Sequence, residues 1–101
     1  MVDQEKVTDL LCERALIEEN DPVIYKIWEE LTELLSQNAD ETICFLKGCT
    51  ENQLYYISEI FEDISYNLKS PKFIQLLYDL NHKYPELNME SDIELAKEYM
   101  K

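Results

Sequence analysis

The sequence predicts an all-α fold: a single domain over residues 1–101, built from five to six antiparallel helices as a bundle or a short stack of helix pairs. Three observations carry this. Apolar residues recur at three- and four-residue steps through most of the chain. Helix-start residues punctuate those stretches, with Asn, Thr or Ser placed three residues ahead of a Glu or Gln, or just ahead of a proline. One Gly and three Pro among 101 residues are too few for a turn-rich all-β chain, and no stretch alternates apolar and polar residues as a half-buried strand does.

The elements follow in order. Val7, Leu10, Leu11, Cys12, Ala15 and Ile17 mark a first helix over about residues 3–18. Asn20-Asp21-Pro22 combines a stop, a cap and a first-turn proline, so a second helix starts there. Its stripe of Ile24, Ile27, Trp28, Leu31, Leu34 and Leu35 opposes Lys26, Glu29, Glu30 and Glu33, the clearest amphipathic pattern in the chain. Asn38 with Glu41 offers a capping box for a short third helix carrying Ile43, Phe45 and Leu46, and Gly48 is placed to end it in a left-handed cap. Thr50 with Gln53 opens a fourth helix over about 51–68, whose Leu54, Ile57, Phe61, Ile64 and Leu68 share one face. Ser70-Pro71 starts a fifth, with Phe73, Leu76, Leu77 and Leu80 inward and His82-Lys83 complementing its negative end before Tyr84-Pro85 stops it. Ser91 with Glu94 is the expected cap of a last helix holding Ile93, Ala96 and Met100.

Composition narrows the function classes. Twenty-two acidic residues against nine Lys and Arg give a formal net charge of −13. The excess is spread over both halves, eight in residues 1–50 and five in 51–101, so it is no terminal tail. Such a charge repels phosphate and anionic lipid, which speaks against nucleic acid and membrane surfaces as direct partners. At 46% apolar and 11% aromatic residues the chain has the means to fold. No apolar run exceeds four residues, too short to span a bilayer, and the first residues lack the basic and apolar segments of a signal peptide. Three cysteines at irregular spacing suit a reduced, cytoplasmic protein better than a disulfide scaffold.

Catalytic chemistry finds little footing, and no catalytic residue, metal site or cofactor is expected. The single histidine, His82, sits at a helix end beside Lys83, where its charge suits the helix dipole. Cys44 and Cys49 lack the tight spacing of a zinc knuckle, and Cys12 and Cys44 lie among apolar positions where thiols are inert core residues. The carboxylate pairs Glu18-Glu19, Glu29-Glu30, Asp40-Glu41 and Glu62-Asp63 fall on polar helix sides, and neither an EF-hand loop nor a phosphate-binding loop occurs.

A recognition surface remains. On a continuous helix over 51–68, Tyr55, Tyr56, Glu59, Glu62, Asp63 and Tyr66 lie opposite the apolar stripe. They are the expected partner contacts: tyrosines as anchors with large apolar area and a hydroxyl, acids as pairing groups for a partner's cations.

From residue 53 the chain resembles small acidic helical immunity proteins of bacterial polymorphic-toxin and contact-dependent inhibition systems. The resemblance rests on Tyr56-Ile57-x-Glu59-x-Phe61-x-Asp63-Ile64, Ser70-x-x-Phe73, Lys83-Tyr84-Pro85-Glu86 and Asp92-Ile93-Glu94-x-Ala96-x-Glu98-Tyr99, and it covers about residues 53–100. It implies a helical protein that binds and neutralises a cognate toxin in the cell that makes it, and it carries over no catalytic residue. The charge points the same way, since a nuclease toxin must present cations to hold phosphate. The expectation is stoichiometric occlusion of a basic toxin, with a helical adaptor or an acidic DNA mimic as the alternatives.

Overall fold

Asp3 opens the first helix, its side chain accepting the backbone N–H of Lys6 at 3.1 Å. In the computed structural model, which describes residues 2–101, that helix is α1 (Gln4–Leu16), followed by α2 (Val23–Leu35), α3 (Ala39–Lys47), α4 (Glu51–Ile57), α5 (Phe61–Leu68), α6 (Pro71–Lys83) and α7 (Glu90–Met100). Short 3₁₀ turns occupy Ser58–Ile60 and Pro85–Leu87. About 80% of the chain is helical, and the described residues contain no strand.

Local chemistry explains most boundaries. Asp21 accepts the backbone N–H of Val23 at 3.0 Å and Asn38 that of Glu41 at 3.0 Å, so α2 and α3 start where their cap residues stand. Thr50 and Gln53 form both halves of a capping box at the head of α4. Ser70 caps α6, with Pro71 in its first turn.

Three boundaries depart from the sequence expectation. Gly48 ends α3 at φ −95°, outside the left-handed region, because Gly48 and Cys49 bond back to Phe45 and Leu46 in a tight turn that any residue can make. The left-handed residues are Lys69 and Asn88 instead. The last helix begins at Glu90, one residue before the expected cap Ser91; no side chain caps it, and the N–H of its N-cap residue Met89 donates to the Asn81 side chain of α6 at 3.3 Å.

The third departure matters most. The stretch 51–68 is two helices, α4 and α5, separated by the 3₁₀ turn at 58–60. Ser58 Oγ donates to the carbonyl of Tyr55 three residues back, a local bond that tightens and bends a helix, and Ile60 leaves helical geometry at φ −122°.

One contiguous apolar core joins all seven helices, within extents of 31 × 30 × 24 Å. Its centre is Phe61 of α5 set edge-on to Phe73 of α6, ring centroids 6.5 Å apart. α5 packs most extensively on α7, tied there by Ser65 Oγ donating to the buried carbonyl of Ala96. α1 packs on α2 and α4, α2 on α5, and α3 on α6, with Thr42 of α3 donating to the last-turn carbonyl of Leu35 at 2.6 Å. The expected stripes of α2, α4–α5 and α6 face this core, except that Ile24 of α2 is buried outside it, beside Glu19, Trp28 and Glu59. That of α1 is corrected: Cys12 and Ala15 are exposed, and Arg14 is buried with Val7, Leu10 and Leu11. Cys44 is exposed as well, so the buried thiol is Cys49, its pKa pushed up to about 11 by burial.

Candidate functional site

The packing of α2 on α5 leaves an open groove of about 710 Å³ along their line of contact. Tyr25, Trp28, Glu29, Thr32, Glu33 and Ser36 line it from α2 and the residue after it, at the steps of three and one that place residues on one helix face. Asp63, Tyr66 and Asn67 line it from α5. Tyr25 stands edge-on to Trp28 at 5.5 Å, and Asn67 Nδ2 bridges to Ser36 Oγ at 3.1 Å, joining the two walls. Tyr25 and Tyr66 are 69% and 60% exposed. No Lys or Arg lines the groove, and among the described residues Glu29, Glu33 and Asp63 form no ion pair. The ammonium of Lys69 lies 4.5 Å from the Tyr66 ring centroid.

Trp28 turns its other side to a second arrangement. Its indole Nε1 donates to Glu59 Oε1 at 3.1 Å. Glu59 in turn accepts both arms of Arg14, Nε at 2.7 Å and Nη2 at 2.6 Å, a bidentate pair across 45 residues of sequence. The Arg14 guanidinium lies 5.0 Å from the Tyr56 ring centroid and is 4% exposed. Its hydrogen bond to Glu59 raises its pKa despite burial, which opposes the charge. No buried side-chain nitrogen or oxygen among the described residues lacks a partner.

Two smaller depressions continue from this centre. One, about 330 Å³, is lined by Glu19, Ile24, Trp28 and Glu59. The other, about 530 Å³, is lined by Arg14, Ile17, Glu18, Glu19, Asn20, Tyr55 and Tyr56. Shared residues, Trp28 and then Glu19, link all three.

The single facet expected of Tyr55, Tyr56, Glu59, Glu62, Asp63 and Tyr66 is therefore not formed. The 3₁₀ turn divides the six, leaving Tyr55 and Tyr56 at one depression and Asp63 and Tyr66 in the main groove. Glu59, between them, faces inward to Arg14 and Trp28. Glu62 lines none of the three; it is half-buried, and burial, then Asp63 and Asp92, raise its carboxyl pKa. The wall from α2 lies on the polar side that the amphipathic pattern gives to Glu29 and Glu33, outside the six expected contacts. The signal was present: Tyr25 and Trp28 precede Glu29 and Glu33 at helical spacing, so aromatics and acids share that face.

The groove sets carboxylates, which can pair with a positive charge, beside aromatic rings, whose faces can cover a flat cation. Among the described residues no three His, Cys, Asp or Glu come together to hold a metal ion, and no helix is long and apolar enough to cross a membrane. Neither a known family, nor a curated protein, nor a solved structure matches the chain.

Proposed function

We propose that the chain is an immunity protein that binds a cognate basic toxin, a nuclease, in the cytoplasm of the producing cell and neutralises it by stoichiometric occlusion. The observation that carries this is the α2–α5 groove, where exposed Tyr25 and Tyr66, half-buried Trp28 and the carboxylates of Glu29, Glu33 and Asp63 meet, the acids forming no ion pair among the described residues. Two further properties support it. The net charge of −13 raises the encounter rate with any basic protein, by about 10–10³-fold at low salt. Tyrosine and tryptophan at the centre of an interface supply the slow release that an antidote needs.

Action by binding alone demands that the binding residues be dispensable for folding. The groove meets that condition, since its acids make no ion pairs and its tyrosines stand largely in solvent. Co-expression with the product of the adjacent upstream gene tests the reading. The expected result is restored survival and a one-to-one complex on co-purification. Undiminished killing together with no complex would overturn it.

A further inference from the structure

The chain holds one guanidinium of its own, and the way it does so bears on what the empty groove is built to take. Arg14 is gripped edge-on by both oxygens of Glu59 and covered by the Tyr56 ring at 5.0 Å, with Trp28 donating to the same carboxylate. Beyond Trp28 the same ingredients recur: Glu33 and Asp63 on opposite walls, with Tyr25, Trp28 and Tyr66 as rings. What differs is that the groove is open and has no cation of its own among its lining residues.

We infer that the α2–α5 groove seats an arginine side chain of the cationic partner, its guanidinium stacked on the groove's aromatic rings and paired with Glu33 or Asp63. This rests on the proposed binding of a basic partner and goes further in naming the residue that anchors it. One argument favours arginine over lysine: a planar guanidinium stacks on a ring face while its edge still pairs with a carboxylate, whereas an ammonium is a compact, strongly hydrated point charge. Lys69 already places an ammonium 4.5 Å from the Tyr66 centroid, which leaves Tyr25 and Trp28 as the rings with no cation against them among the described residues.

Trp28 is the only tryptophan, so its fluorescence reports on the groove directly. The probes are three short peptides, acetyl-GRGRG-amide, its lysine counterpart and its citrulline counterpart, which keeps the arginine shape without the charge. The arginine peptide should change Trp28 emission saturably. The lysine peptide should need at least about fivefold higher concentration, and the citrulline peptide should have no effect. Glu33→Gln with Asp63→Asn should abolish the response while the helical circular-dichroism signal is kept, and Glu5→Gln with Glu98→Gln, far from the groove in sequence and lining none of its walls, should leave it unchanged. Equal responses to arginine and lysine peptides, a response indifferent to Glu33 and Asp63, or no response at all would each overturn the inference. Toxin protection gives an independent readout. If the E33Q/D63N variant protects cells as well as the parent, the arginine seat fails and the antidote role stands; if the peptide binds but no toxin is neutralised, the reverse holds.

Discussion

Trp28 separates two versions of the same chemistry. On its inner side, Glu59 meets Arg14 from another helix, and the pair is closed over by Tyr56. On its outer side, Glu29, Glu33 and Asp63 surround exposed tyrosines and meet no cation of this chain. A carboxylate whose counter-charge is supplied from within becomes part of the fold, costly to disturb and unavailable to others. One whose counter-charge is absent adds only repulsion to the folded state, and is free to act on a partner. The two sides therefore differ by the presence of one arginine, and the difference can be tested with substitutions on either side of the indole.

The largest effect is expected at the closed side. Glu59→Ala leaves the Arg14 guanidinium buried without its partner, at a cost of about 3 kcal/mol. For a domain of this size that lowers Tm by on the order of 10–20 °C. Urea and thermal unfolding measure both. Replacing the two together, Arg14→Met with Glu59→Leu, should recover most of the loss, because the penalty lies in the orphaned charge more than in the pair itself. A single-variant loss under about 1 kcal/mol would show that water reaches Arg14 and that the closed side is energetically like the open one.

Next comes the open side. Glu29→Gln, Glu33→Gln and Asp63→Asn together should leave the unfolding free energy within about 0.5 kcal/mol of the parent. On the proposed function, the same variant should associate with its basic toxin partner about tenfold more slowly at low salt, the gap narrowing as salt is raised. Stopped-flow mixing over a salt series reads this. Stability that falls by as much as in Glu59→Ala would merge the two regions into one structural unit.

How much of this could be read beforehand depended on sequence distance. Caps act over three residues, so Asn38, Thr50 with Gln53, and Ser70-Pro71 announced their helices correctly. The cap of α7 failed because Met89 is served by Asn81, a side chain on the preceding helix. The 3₁₀ turn at 58–60 was hidden because Ser58 looks like any polar helix residue until it bonds to Tyr55. Glu59 looked like an outward acid for a similar reason: its orientation is set by Arg14, 45 residues away, which a wheel drawn on one helix cannot include. The groove itself needs α2 and α5 side by side, and only the aromatic-acidic face of α2 left a local trace.

Trp28 belongs to both versions, so altering it should yield an intermediate effect. Trp28→Phe keeps an aromatic ring between them but removes the donor to Glu59, a loss of about 1 kcal/mol in urea unfolding. A variant as stable as the parent would mean that the Arg14 fork alone holds Glu59.

The smallest effect belongs to Glu62, which supplies a third case: an acid partly removed from water with only acids for company. Burial, then Asp63 and Asp92, raise its pKa, and burial and Glu59 do the same for Asp92. A carboxyl raised in the folded state binds its proton more tightly there than in the unfolded chain. Its favourable contribution is therefore complete below the unfolded pKa, about 4.3, and is lost as pH rises through the folded value. At neutral pH the charged Glu62 should weaken the fold slightly, and Glu62→Gln should gain about 0.3 kcal/mol there. Urea unfolding of both proteins from about pH 3.5 to 7 should show the gain vanish at the acid end, where the parent carboxyl is protonated and resembles the amide. A gain that persists at low pH would trace to the amide's own hydrogen bonds, and Glu62 would then no longer count as an uncompensated charge beside the compensated Glu59.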